Sequence, residues 1–133
     1  MINYKYKNKA KAIKELTKSL REFGVHESYL ESIYEREKMA SFNIGYSIAI
    51  PHGTYEAIKK LNNLVIVIHH LAKPIMWDYD KVQILIGIAV KNEKQMQLLQ
   101  NIAINSIDKD FYNDILKNPT LEKIEKLTKE YNE

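Results

Sequence analysis

The feature that most narrows the fold is the run Val82-Gln83-Ile84-Leu85-Ile86-Gly87-Ile88-Ala89-Val90. Successive residues of a strand face opposite sides, and here both sides are apolar. Such a strand needs cover on each face, which places it inside a sheet between two layers of helices. Leu64-Val65-Ile66-Val67-Ile68-His69 reads the same way. Between the two, Pro74-Ile75-Met76-Trp77 gives a brief strand, ended by Asp78-Tyr79-Asp80. Ile2, Tyr4 and Tyr6 alternate with polar residues and mark a weaker edge strand. Another short run, Ser47 to Ile50, stops at Pro51, which has no N–H to give to a ladder.

The rest of the chain has helical spacing. Ala10, Ile13, Leu16, Leu20 and Phe23 form a stripe that Gly24 terminates. A second helix is expected from about Glu27 to Met39, with Arg36 in its last turn, where a cation suits the helix dipole. Its candidate faces are Leu30, Ile33, Tyr34 and Glu37, or Tyr29, Ile33 and Arg36. Thr54 is an N-cap for a short helix at 55–60. Later stripes are Met96, Leu99, Ile102 and Ala103; then Phe111, Ile115 and Leu116; then Leu121, Ile124, Leu127 and Tyr131 after Pro119-Thr120. The 133 residues carry no repeat or linker and suffice for one domain over 1–133. The fold class is α/β, a mixed (parallel/antiparallel) central sheet of about four to five strands sandwiched between helices.

Composition removes several functions. Without cysteine there are no disulfides, thiol nucleophiles or zinc–thiolate sites, and a cytoplasmic location is expected. No apolar run approaches the ~20 residues of a membrane-spanning helix, so no direct membrane insertion is expected. Residues 1–22 hold seven Lys or Arg against two Asp or Glu, yet the net charge is only +3. That basic helix face reads as solvated, and no direct nucleic-acid contact is expected. With four glycines and no Walker or Gly-x-Gly-x-x-Gly loop, nucleotide binding is not indicated. No Gly-x-Ser-x-Gly elbow is present either.

Four histidines remain. His69 and His70 are adjacent on a strand and point to opposite faces, so they cannot meet at one metal, and no metal site is expected. His26, at a helix start, reads as surface. His52 is different, because it follows a strand's carboxyl end and precedes a helix's amino end. That gap is where α/β proteins gather unpaired N–H groups and hold anions. An imidazole there is a candidate acceptor for a phosphoryl group.

The segment Arg36-Glu37, the loop Ala40-Ser41-Phe42-Asn43-Ile44-Gly45 and the run Ala49-Ile50-Pro51-His52 give that reading a family. Together they resemble the EIIA domains of the bacterial sugar phosphotransferase system, mannitol/fructose type, and the likeness extends over nearly the whole chain. The resemblance implies a phosphotransferase component with a phosphohistidine intermediate. His52 would be phosphorylated by the phosphocarrier HPr and would pass the group to an EIIB component that feeds a sugar transporter. Arg36 would stabilise the phosphoryl charge, and the N–H groups of Gly53 and Thr54 would add to it. No cofactor is implied, because the donor is another protein. Phe42 and Ile44 are candidates for the docking surface.

Two positions depart from the family. Gln95 stands where mannitol-type members have a second histidine, leaving a possible phosphoryl contact that cannot become a cation. Phe42 stands where a threonine is usual, beside Ser41 and Asn43. These departures keep a regulatory module of a transcription regulator in view, and a binding domain that is never phosphorylated would follow if Arg36 did not reach His52.

Overall fold

The computed structural model describes residues 4–61 and 64–128. Two helices come first, α1 (Lys9–Glu22) and α2 (Glu27–Glu37). The short strands β1 (Asn43–Gly45) and β2 (Ile48–Ala49) follow, then α3 (Tyr55–Lys59). A long hairpin of β3 (Val65–Trp77) and β4 (Asp80–Ala89) leads to α4 (Asn92–Asn105), α5 (Lys109–Lys117) and α6 (Leu121–Thr128). The strand order is β1-β2-β4-β3. β4 lies at the centre, parallel to β2 and antiparallel to β3, so the sheet is mixed and has four strands.

Apolar side chains cover both faces of β4. On one side Ile13, Leu16 and Leu20 of α1 and Leu30 and Ile33 of α2 pack with Leu85 and Ala89. On the other, Leu98 and Ile102 of α4, Ile115 of α5, and Ile124 and Leu127 of α6 pack with Ile84, Ile86 and Ile88. Ile86 and Ile88 are fully buried, as a central strand of this composition requires.

The first helix starts and stops by side-chain and backbone chemistry. Asn8 Oδ1 accepts the Lys11 N–H at 3.0 Å. At the other end Gly24 takes φ +94°, and Val25 N–H bonds the Leu20 carbonyl while Gly24 N–H bonds that of Arg21. This is a Schellman stop, with Val25 and Leu20 in one apolar cluster. His26, read as plain surface, is exposed but caps α2 by accepting the Ser28 N–H.

Several expectations change. Pro74–Trp77 is the second half of β3 and not a separate strand. A register irregularity between His70 and Ile75 absorbs the proline, which has no N–H to give. The stretch 64–69 lies on the outer side of β4 and not mid-sheet; among the described residues the far edge of β3 is met just beyond it, at Leu71, by Tyr4. Tyr4 N–H bonds His70 O at 2.8 Å and Ala72 N–H bonds Tyr4 O at 2.7 Å. The expected edge strand at 2–6 is therefore a single bridge at Tyr4 among the described residues; Ile2 lies outside them, as does Tyr131. Helix α2 ends at Glu37, short of Met39, and buries Tyr29, Leu30, Ser32 and Ile33, leaving Tyr34 half out. Phe23, Met96 and Leu121 are exposed, and Leu98 replaces Met96 on the inner stripe of α4. A helix buries an arc, and a stripe assigned from spacing alone can be rotated by one residue without breaking its period.

Candidate functional site

The strand that ends at His52 is set by a tight turn. Tyr46 and Ser47 both have positive φ, 56° and 60°, the pattern of a two-residue type I′ hairpin between β1 and β2. Beyond β2 the chain stays beside β4: Ile88 N–H bonds the Pro51 carbonyl at 3.1 Å, and His52 bridges Ile88 in parallel. Pro51 therefore contributes to the sheet through its carbonyl alone, and His52 emerges at the sheet's rim.

Helix α2 holds the next two residues from behind. Tyr29 Oη donates to Ile88 O at 2.7 Å and accepts from Gly53 N–H at 2.9 Å. Ser32 Oγ donates to Tyr29 O and accepts from Thr54 N–H at 3.3 Å. A Cβ on Gly53 would lie 2.5 Å from both Tyr29 Cε1 and Ser32 Oγ, so no larger residue fits without displacement. Burial pushes the Tyr29 phenol up to about 12, keeping it protonated for this double role. The N–H groups of Gly53 and Thr54, expected to face an anion, are thus already taken. Thr54 caps α3 as expected, its Oγ1 accepting from Ala57 N–H. Tyr29 and Ser32 were not singled out from the sequence. Their signal was two hydroxyls at i, i+3 on the apolar face of a helix.

His52 is half-buried. Its Nδ1 lies 2.8 Å from the carbonyl oxygen of Ile50. A carbonyl only accepts, so Nδ1 carries the proton and Nε2 keeps its lone pair. No hydrogen-bond partner to Nε2 is found among the described residues. Burial lowers the imidazole's pKa, the Ile50 bond opposes that, and Arg36 lowers it further. The ring is therefore neutral at pH 7, with one nitrogen fixed and the other free.

Arg36 and Phe42 complete the cluster. The Phe42 ring is buried, with its centroid 5.1 Å from that of His52. The Arg36 guanidinium carbon lies 5.8 Å from the Phe42 centroid, and Arg36 Nη1 donates to the Ala40 carbonyl at 3.3 Å. No carboxylate pairs with Arg36 among the described residues. Phe42, expected to offer a docking surface, instead forms the wall between helix and histidine; Ile44 does reach solvent. Ser41 and Asn43 supply no free group in place of the absent threonine. The Ser41 hydroxyl donates to Asp78 at 2.6 Å, and the Asn43 side chain bonds Trp77 O and Gly45 N–H.

Gln95 sits in the first turn of α4, the helix that follows β4 at the same end of the sheet. Its N–H bonds Lys91 O, and its Oε1 is buried without a partner. No hydrogen bond joins Gln95 to His52 among the described residues. His69 and His70 diverge as expected. His69 meets Tyr6 Oη and Ser19 Oγ, each at 3.1 Å, while His70 Nε2 meets the Leu116 carbonyl on the opposite side. Among the described residues no group of three or more His, Asp or Glu is placed to hold a metal, and no helix is long and apolar enough to cross a membrane.

The fold and site define an α/β domain that presents one neutral, tautomerically fixed imidazole at a sheet rim near a guanidinium that no carboxylate of the described residues pairs. Residues 1–131 match the model of the family described as phosphoenolpyruvate-dependent sugar phosphotransferase system, EIIA 2. The chain belongs to that family; it is an EIIA phosphotransferase component. A mannitol-specific EIICBA component of Vibrio cholerae is 37% identical over 106 residues, which cover 77% of this chain and 16% of that protein. A mannitol-specific phosphotransferase enzyme IIA component of Staphylococcus aureus is 28% identical over 130 residues, 97% of this chain and 90% of that one. The chain thus spans a small part of the first relative and most of the second. Its fold is also that of enzyme IIA mannitol from Escherichia coli, solved in complex with phosphorylated enzyme IIB mannitol. There the TM-score is 0.83 at 22% identity, over 96% of this chain and 92% of that one.

Proposed function

We propose that residues 1–133 form one mannitol-type EIIA domain, acting in the cytoplasm, in which His52 carries the phosphoryl group. The observation that supports this most is the 2.8 Å bond from Nδ1 to the Ile50 carbonyl, which commits one nitrogen and leaves Nε2 as the nucleophile. In the transfer, the Nε2 lone pair forms an N–P bond as the P–N bond of phosphohistidine in HPr breaks. The HPr imidazole leaves with that electron pair. Positive charge spread over the phosphorylated His52 ring is offset by the Ile50 carbonyl at Nδ1–H. Arg36 faces the equatorial phosphoryl oxygens as a planar fork, which is what transfer through a loose transition state requires. Onward transfer reverses the roles, with a nucleophile of EIIB taking the group from Nε2.

The regulatory alternative has one specific observation behind it. Phe42 removes a hydroxyl donor and Gln95 a potential cation from the mannitol-type pattern around the phosphorylated histidine, which favours slow onward transfer. Incubation with enzyme I, HPr and labelled phosphoenolpyruvate tests both readings. Acid-labile, base-stable label is expected on the wild type and absent from His52→Ala, and Arg36→Ala is expected to label slowly while remaining folded. Adding a mannitol-type EIIB should discharge the label; retained label supports the regulatory role. An unlabelled wild type overturns the proposal.

A further inference from the structure

Outside the histidine cluster, the strongest charge arrangement in the molecule centres on Lys9. Its Nζ lies 2.8 Å from Glu37 Oε1 and 2.6 Å from Asp78 Oδ1, at the surface, with the three side chains partly exposed. Asp78 stands in the β3–β4 turn with φ 61° and takes the Ser41 hydroxyl on its second oxygen. The lysine therefore grips both ends of the loop between α2 and β1. One end is Glu37, next to Arg36; the other is Ser41, next to Phe42. Lys9 raises its own pKa through these bonds, Asp78 first, and holds the Asp78 carboxyl below the usual range.

Glu37 is poorly placed without this lysine. It ends α2 at the negative pole of the helix, where a carboxylate is disfavoured and seeks a cation. Two cations flank it in the chain, Lys38 just past the helix end and Arg36 within it, and the Arg36 guanidinium hydrogen-bonds only the Ala40 carbonyl among the described residues. A Glu37–Arg36 pair would occupy the fork on which the proposed chemistry depends.

We propose that Lys9 is a positioning residue for phosphoryl transfer: by binding Glu37 and Asp78 together, it keeps Glu37 off Arg36 and holds Arg36 and Phe42 against His52. This rests on the reading of His52 as the phosphoryl acceptor. The test measures the rate at which His52 is labelled from phospho-HPr in the full chain. Lys9→Met is expected to label on the order of tenfold more slowly, as for partial loss of a transition-state donor. Lys9→Arg should restore the rate. The decisive variant is Lys9→Met with Glu37→Gln, which removes the competing carboxylate and should recover most of the loss. The midpoint of His52 protonation, followed by NMR, should rise in Lys9→Met and return in the double variant. A Lys9→Met protein as fast as wild type overturns the inference. So does a double variant as slow as the single one, and so does a His52 midpoint that stays fixed in Lys9→Met, because a purely structural lysine would change stability without moving that midpoint. A wild type that takes no label would instead sink the reading of His52 itself.

Discussion

His52 and His69 are both withdrawn from water, and in both the imidazole is held neutral, yet only one is placed for chemistry. His69, 1% exposed, has both nitrogens engaged, by Tyr6 and Ser19, and its ring is stacked on Tyr4 at 4.2 Å. Burial lowers its pKa to about 4. His52 has one nitrogen engaged by a carbonyl, the other without a partner among the described residues, and a guanidinium close enough to lower its pKa. The contrast teaches that burial and a lowered pKa do not make a nucleophile. An uncommitted lone pair at the end of a strand does, and the second imidazole spends its lone pair holding the start of the chain against α1 and β3.

Exchanging the damage between the two sites should give the largest effect. His52→Gln is expected to lose all label while keeping its unfolding midpoint. His69→Gln should label normally yet be less stable by about 1–3 kcal/mol, the usual result of leaving buried partners unpaired. Label lost in both variants, or in neither, would erase the distinction.

Acid should reach the two histidines differently. With the His69 pKa near 4 when folded, the unfolded chain binds the extra proton between the ordinary histidine value and about 4. Stability therefore rises with pH across that window and falls as acid is added. The full difference is about 3 kcal/mol. Denaturant titrations at pH 7 and pH 4.5 should show most of that loss in the wild type and a flatter profile in His69→Gln. An equal loss in both proteins would mean that His69 is not the proton acceptor.

Tyr29→Phe probes how far His52 depends on the helix behind it. The change leaves the Ile88 carbonyl and the Gly53 N–H without their partner and should cost about 1–3 kcal/mol. Labelling should slow as the loop loosens, so unfolding and labelling would be followed together. Unchanged labelling in a destabilised protein would confine Tyr29 to stability. The smallest effect is expected from Arg36→Gln on titration alone: the midpoint of His52 protonation, read from its ring proton shifts, should move up because a neighbouring cation is gone. A fixed His52 midpoint would place Arg36 too far away to act.

The mixed sheet was legible because the 82–90 run is apolar on both faces, and no other environment suits it. The places of His52 and Arg36 in the fold were legible because a strand-ending proline and a last-turn arginine are local signals, whereas the proposed role of Arg36 came only from the family resemblance. Three other features were hidden, each depending on partners distant in sequence. Phe42 is buried in the cluster it shares with α1, α2 and Trp77, with His52 and Arg36 beside its ring. The Gly53 and Thr54 N–H groups are taken by hydroxyls more than twenty residues earlier. The outer position of β3 follows from β2 pairing with the opposite edge of β4. Helical spacing also left the inward arcs of α2 and α4 unresolved, since neighbouring stripes fit the same period.

The most direct test asks which atom holds the phosphorus. After phosphorylation with enzyme I, HPr and phosphoenolpyruvate, long-range proton–nitrogen NMR on uniformly 15N-labelled protein can distinguish the two ring nitrogens. The account predicts one phosphorylated histidine, His52, substituted at Nε2 and still protonated at Nδ1. Phosphate on Nδ1, or on His26, His69 or His70, would contradict it.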